Sequence, residues 1–190
     1  MPIALRKFYT EEEFLTFERM AKVKNEYYRG EIFAMSGASF QHNQLSSKLI
    51  RDIGNHLKGK GCNIFGSDLR VYTQLNSFYT YPDAVIICGD PSFIDKQFDT
   101  ILNPAILFEI LSPSTEEYDR TTKFEFYKNI PTLKHYVLID SRKFFVQIFT
   151  QEADKSWSLK EYNLPDEQWL LKSIQYKSTI KELYEGVKFT

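Results

Sequence analysis

The sequence predicts a mixed α/β sandwich, and three observations predict it. Leu45, Leu49, Ile53 and Leu57 recur at intervals of four and stop before Gly59-Lys60-Gly61, the stripe of a helix that packs on a sheet. Ala84 to Cys88 and Ala105 to Leu111 are almost continuous apolar, β-favouring runs, as strands covered on both faces should be. A helix-start signal follows the second run directly and precedes another apolar strand candidate, so one crossover helix links two strands of the sheet.

Taken in order, Thr10 is a cap-capable residue before the acidic turn Glu11-Glu12-Glu13, and Phe14, Leu15 and Phe17 continue a short helix. Glu26 to Met35 holds two β-favouring pieces around Arg29-Gly30, a hairpin in which Gly30 supplies a positive φ. The long helix to Lys58 carries Lys48, Arg51, Asn55 and Lys58 on its other side. That side can contact phosphate, but Asp52 interrupts it and a solvated face accounts for it as well. Strands are expected at Asp68 to Gln74, Ala84 to Cys88 and Ala105 to Leu111. The crossover helix should start with a capping box at Ser114 and Glu117 and run to about Asn129. His135 to Asp140, Phe144 to Thr150 and Trp157 to Tyr162 are further strands, and Ile180 to Tyr184 a final short helix.

A chain of 190 residues, 43% hydrophobic with 16 Phe and 12 Tyr, suits one domain over residues 1–190. Its two cysteines, Cys62 and Cys88, show no CxxC or Cys/His spacing, so packed, reduced thiols are expected. Met1 to Lys7 lacks the apolar core of a signal peptide, and no apolar run approaches the roughly 18 residues of a membrane span. A soluble, cytoplasmic protein without a membrane partner is therefore expected. The formal net charge of -1 gives no global pull toward a polyanion, which argues against avid non-specific DNA binding.

Two acids sit where packing alone would not put them. Glu109 lies inside an apolar run, and Asp83 stands at the mouth of Ala84-Val85-Ile86-Ile87. An isolated buried carboxylate costs several kcal/mol in effective terms, roughly, unless it is compensated. On neighbouring strands the two would repel unless a cation or a proton lay between them. Hard oxygen ligands suit Mg²⁺ or Mn²⁺. The competing reading pairs Glu109 with a buried Lys or Arg and gives Asp83 a turn-capping role.

Pro82-Asp83 followed by Glu109-x-Leu111 resembles the core of the PD-(D/E)XK nucleases. The string Glu109-Ile-Leu-Ser-Pro-Ser-Thr115 with Asp119-Arg120, Lys123, Tyr127 and His135-Tyr-Val-Leu-Ile-Asp140 is similar to the Uma family of restriction-endonuclease-like proteins. So are Glu26-x-x-x-Gly30-Glu31, Ser67-Asp68-Leu69-Arg70 and Tyr184-Glu185-Gly186-Val187. The resemblance implies a restriction-endonuclease-like fold, a central mixed β-sheet flanked by helices, with Asp83 and Glu109 as metal ligands. One departure stands out: the superfamily lysine two residues after the acid is here Leu111, which cannot assist a water.

Lys123, on the helix that begins at the end of the Glu109 strand, is the candidate for the missing cation; an i,i+4 pair with Asp119 is its other role. The resemblance adds Glu26 as a further metal-side acid, and a surface glutamate is the alternative. His42, in the first turn of the long helix, either touches substrate phosphate or caps the turn; Lys48 and Arg51 are the further substrate-binding candidates. Asp68 and Arg70 are expected to form an ion pair. The function expected is a Mg²⁺- or Mn²⁺-dependent endonuclease acting on nucleic acid, DNA above all. The alternative is a catalytically degenerate nuclease fold that binds nucleic acid or protein. Phe144, Phe145 and the many tyrosines suggest a two-fold homodimer.

Overall fold

The computed structural model describes residues 7–189. Met1–Arg6, on which most of the signal-peptide argument rests, lie outside the described residues. Its elements are α1 (Glu11–Glu18), β1 (Asn25–Tyr28), β2 (Glu31–Ala34), α2 (Phe40–Leu57), β3 (Cys62–Gly66), β4 (Arg70–Thr73), β5 (Phe78–Thr80), β6 (Ala84–Cys88), β7 (Thr100–Ile101) and β8 (Ile106–Leu111). After β8 come α3 (Glu116–Tyr118), a π-helical turn at Asp119–Lys123, and α4 (Phe124–Tyr127). Then follow β9 (His135–Asp140), β10 (Val146–Gln151), β11 (Trp157–Tyr162), β12 (Gln168–Leu171), β13 (Tyr176–Thr179) and α5 (Ile180–Leu183).

A mixed six-stranded sheet in the order β11-β10-β9-β8-β6-β3 is the centre of the fold. Its pairings are antiparallel except β8 with β9, which run parallel with Glu109 opposite Leu138. The chain makes that parallel pair by crossing through α3, the π-turn and α4, as the sequence order requires. Every residue of β8 and β9 is buried, which explains their unbroken apolar runs. Successive side chains alternate between the two faces. Ile106, Phe108 and Ile110 join Leu45, Leu49, Ile53 and Leu57 of α2 in one core, whereas Leu107 and Leu111 join Phe126, Tyr127 and Leu138 in the other. Burying each of the four α2 residues is worth about 1.5–3 kcal/mol, which fixes that helix to its face.

A second sheet, β2-β1-β5-β4-β7, supplies Val71, Phe78 and Ile101 to the second core, and β12 and β13 form a separate hairpin. The α1 capping box forms as expected, with Thr10 and Glu13 bonding each other's backbone N–H groups. In the β1–β2 turn both Arg29 (φ 45°) and Gly30 (φ 96°) are left-handed, so Gly30 does not act alone. Among the described residues no helix is long and apolar enough to cross a membrane.

Four expectations need correction. The Ser114/Glu117 box does not form: Thr115 is the cap residue and its side chain makes no capping bond, while the Ser112 hydroxyl bonds those of Ser114 and Thr115. The crossover helix is not one α-helix to Asn129, because the π-turn interrupts it and it ends at Tyr127. Asp68 and Arg70 do not pair; Asp68 meets Lys24 at 2.7 Å and Arg70 meets Asp99 at 3.0 Å, partners distant in sequence. Cys62 and Cys88 are not free thiols: they are directly opposed in the β3–β6 register and joined as a disulfide. Cross-strand register, not spacing, brings them together.

Candidate active site

Asp83 immediately precedes β6, whose Ala84 is paired with Phe108 of β8. Continuing that antiparallel register sets Asp83 beside Glu109. Glu109 shares the alternation of Leu107 and Leu111 and so belongs to the face of the second core, while Asp83 stands in the bend that leads into β6, at the end of the sheet where α2 begins. The adjacency expected of the two acids therefore holds in the strand order and the register.

Asp83 is fixed from two sides. Its Oδ2 accepts the backbone N–H of Ile110 at 2.7 Å and lies 3.0 Å from Nε2 of His42. His42 reaches it because it stands one turn ahead of Leu45 and two ahead of Leu49, on the edge of the buried stripe of α2. Ser39 caps the same helix by accepting the His42 backbone N–H at 3.2 Å, so capping is not the work of the imidazole.

Glu109 is 4% exposed. Its Oε1 accepts from Lys123 Nζ at 3.1 Å and from the Tyr127 hydroxyl at 2.9 Å. The same ammonium lies 3.1 Å from Glu26 Oε1 and 3.1 Å from Asp119 Oδ1. Thr80 donates to Glu26 at 2.6 Å and approaches the Tyr127 hydroxyl at 3.3 Å, closing a buried network across β1, β5, β8 and the crossover helix. Lys123 thus meets the strand glutamate and its i+4 neighbour Asp119 at once; the two roles weighed from sequence coexist. The π-turn that carries Asp119 and Lys123 turns both inward, and such turns are frequent at functional sites.

Burial pushes the Glu109 carboxyl well above the usual carboxylate range; Lys123 pulls it down, and Asp119, Asp83 and Glu26 push it further up. Burial also raises Asp119 against the pull of Lys123. For Lys123 itself, burial works against the charge, but the carboxylates of Glu109 and Glu26 outweigh it and hold the ammonium charged. Tyr127 is held as the neutral phenol by burial and then by the charge of Glu109. One ammonium therefore meets three carboxyl groups, Glu26, Glu109 and Asp119, a surplus of acidic groups over cations in a poorly solvated place.

That surplus is the observation against which a divalent ion can be tested. Among the described residues every hydrogen bond to Glu109 ends on Oε1 and every one to Asp83 on Oδ2. Oε2 and Oδ1 are left for a further partner. Among the described residues no three His, Cys, Asp or Glu side chains are grouped as ready-made ligands. A site here would offer two carboxylate oxygens and leave the remaining positions to water, which is the habit of Mg²⁺. The donor set fits such an ion. Glu26, the further metal-side acid that the resemblance implies, is buried in the same cluster; its Oε1 bonds Lys123 and Thr80, and its Oε2 has no hydrogen bond among the described residues.

The remaining candidates make other contacts. Lys48 is 3.9 Å from Glu185, and Arg51 pairs with its neighbour Asp52 at 2.7 Å. Phe144 packs on Tyr184 and Phe189, while Phe145 lies under Arg120 and Lys143, so both aromatics are engaged within the chain. Tyr127, Thr80 and the burial of Asp119 were missed as parts of the cluster; the spacing of four from Asp119 to Lys123 to Tyr127 was the available signal.

Comparison with known proteins gives three findings. The model of the Uma2 family, described as "Putative restriction endonuclease", matches residues 11–180. An uncharacterized protein of Synechocystis sp. is 35% identical over 178 residues, 94% of this chain and 92% of that protein; a second from the same organism is 35% identical over 161 residues, 85% and 91%. A crystal structure titled as a putative nuclease belonging to DUF820, from Anabaena variabilis, superposes with a TM-score of 0.78 at 19% identity. It covers 95% of this chain and 99% of that one, a likeness that shows the fold.

Proposed function

The chain belongs to the Uma2 family of restriction-endonuclease-type proteins, and from that premise we propose that it is a divalent-metal-dependent endonuclease that hydrolyses phosphodiester bonds of DNA. The observation that carries the reading is the pairing of Asp83 with the buried Glu109, in a cluster with more acidic groups than cations, with one oxygen of each free of hydrogen bonds among the described residues and Lys123 at 3.1 Å from Glu109. Mg²⁺ or Mn²⁺ bound there supplies Lewis acidity toward the phosphate and lowers the pKa of the attacking water.

The protein's own groups do the rest. Asp83 and Glu109 hold the ion, and the Ile110 N–H and His42 fix the Asp83 carboxylate. Tyr127 and Lys123 bind one oxygen of Glu109 and so orient the other. Lys123 places positive charge beside the reacting phosphate, where negative charge develops, and takes over the role that Leu111 cannot fill. His42, Lys48 and Arg51 are the substrate-side groups of this reading. Two such chains paired about a two-fold axis would cut both strands of a duplex; a monomer in light scattering at high concentration overturns the pairing.

The test is a cleavage screen on DNA and RNA substrates with Mg²⁺ or Mn²⁺ against chelator. Ion-dependent cleavage of DNA that EDTA abolishes is the result expected. A second reading, a binding module without cleavage, is favoured by one observation: Lys123 is already shared among Glu26, Glu109 and Asp119, as a purely structural cation would be. Under that reading DNA is retained and never cut.

A further inference from the structure

A cavity of about 380 Å³ opens between β10–β11 and the β12–β13 hairpin, lined by none of the residues of the acidic cluster. Ile148 and Tyr162, in its wall, belong to the core on the α2 side of the central sheet, whereas Glu109 belongs to the opposite side. Lys160, Lys172 and Lys177 line it, and no Asp or Glu does. The acids nearest by their effects are otherwise engaged: Glu167 accepts the Asn163 and Leu164 N–H groups at 2.7 and 2.8 Å, and Glu152 accepts the Ser158 hydroxyl. Lys160 lies 4.8 Å over the Tyr162 ring, and all three lysines are exposed.

Trp169, 0% exposed, lines the same cavity. Three lysines with no carboxylate among the lining residues call for a ligand that is anionic and rich in acceptor oxygens. A carboxylate offers one charge; a phosphate monoester offers up to two and three terminal oxygens.

We propose that this cavity is a second site, which binds a phosphate group, either free or carried by a nucleotide. Lysines bind phosphate as point charges, and the volume falls within the range of small-ligand sites, about 300–1,000 Å³. The site lies across the sheet from Glu109 and shares no residue with the acidic cluster, so it stands whether or not those acids cut DNA.

The protein has two tryptophans, so Trp157→Phe leaves Trp169 as the reporter. Its fluorescence is followed while inorganic phosphate, and separately adenosine monophosphate, is added at constant ionic strength against sodium chloride. Saturable change with phosphate is expected, and Lys172→Ala and Lys177→Ala should each weaken binding about tenfold. Because these side chains are exposed, the variants should melt with the parent. Equal affinity for the two probes identifies free phosphate as the source, and tighter nucleotide binding identifies a nucleotide; both support the site. A response no larger than that to chloride, or affinities unchanged in both lysine variants, overturns it.

Discussion

Replacing Lys123 by methionine keeps the length of the side chain and removes the ammonium that Glu26, Glu109 and Asp119 each meet at 3.1 Å. Removing one partner of a buried ion pair costs about 3–5 kcal/mol, because the other charge stays buried and uncompensated. Three carboxylates are left here, which places the loss at the upper end. At about 2–4 °C per kcal/mol for a chain of this size, the melting temperature should fall by about 10–20 °C at pH 8. The loss should shrink at pH 5. Glu109 has a raised pKa through burial, so the folded state takes up a proton more readily than the unfolded chain, and its stability rises as pH falls. Differential scanning calorimetry at both pH values measures this, and Glu109→Gln in the Lys123→Met background should recover part of the loss. A melting point within about 2 °C of the parent at pH 8 would refute the view that Lys123 holds the cluster together.

Other expectations follow from single features. His135 accepts the Ser173 N–H on Nε2 and bonds Thr150 through Nδ1, and burial, then Lys172, depress its pKa to about 4. It is neutral when folded and protonated first when unfolded. Its stabilisation is therefore full above about pH 6.5 and is lost down to about pH 4, at most about 3 kcal/mol. Urea titrations from pH 7 to 4 should show that slope, and His135→Phe should flatten it. Reducing the Cys62–Cys88 bond frees a 26-residue separation and should cost up to about 3 kcal/mol, read as a lower urea midpoint with dithiothreitol; an unchanged midpoint counts against the bond. If the long helix touches DNA, Lys48→Ala weakens binding with a smaller salt slope, whereas Arg51→Ala, paired with Asp52, changes it less; equal effects reject that order.

The parts of the fold legible in the sequence are those with long, strong patterns. The α2 stripe, β6, β8, β9 and the β1–β2 hairpin all follow from apolar periodicity or turn chemistry. The short strands β3, β5, β7, β12 and β13 escaped because two to five residues carry too little pattern, and their pairing depends on distant partners. In the candidate site, Glu109 and Asp83 were visible as acids out of place in apolar runs. Lys123 was visible through its position on the crossover helix. The hydrogen bond of His42 to Asp83, and the links of Thr80 and Tyr127 to Glu26 and Glu109, needed the packing of α2 and of both sheets. The disulfide was missed for the same reason: Cys62 and Cys88 meet only through the β3–β6 register.

The most direct test of the account is calorimetric titration of Mn²⁺ into the parent, Asp83→Ala and Lys123→Arg, with DNA cleavage assayed on the same preparations. The account predicts saturable binding by the parent, loss of both binding and cleavage in Asp83→Ala, and binding retained in Lys123→Arg with cleavage reduced, because the side chain carries charge and is no ligand. Binding of Mn²⁺ to Asp83→Ala with the affinity of the parent would contradict it.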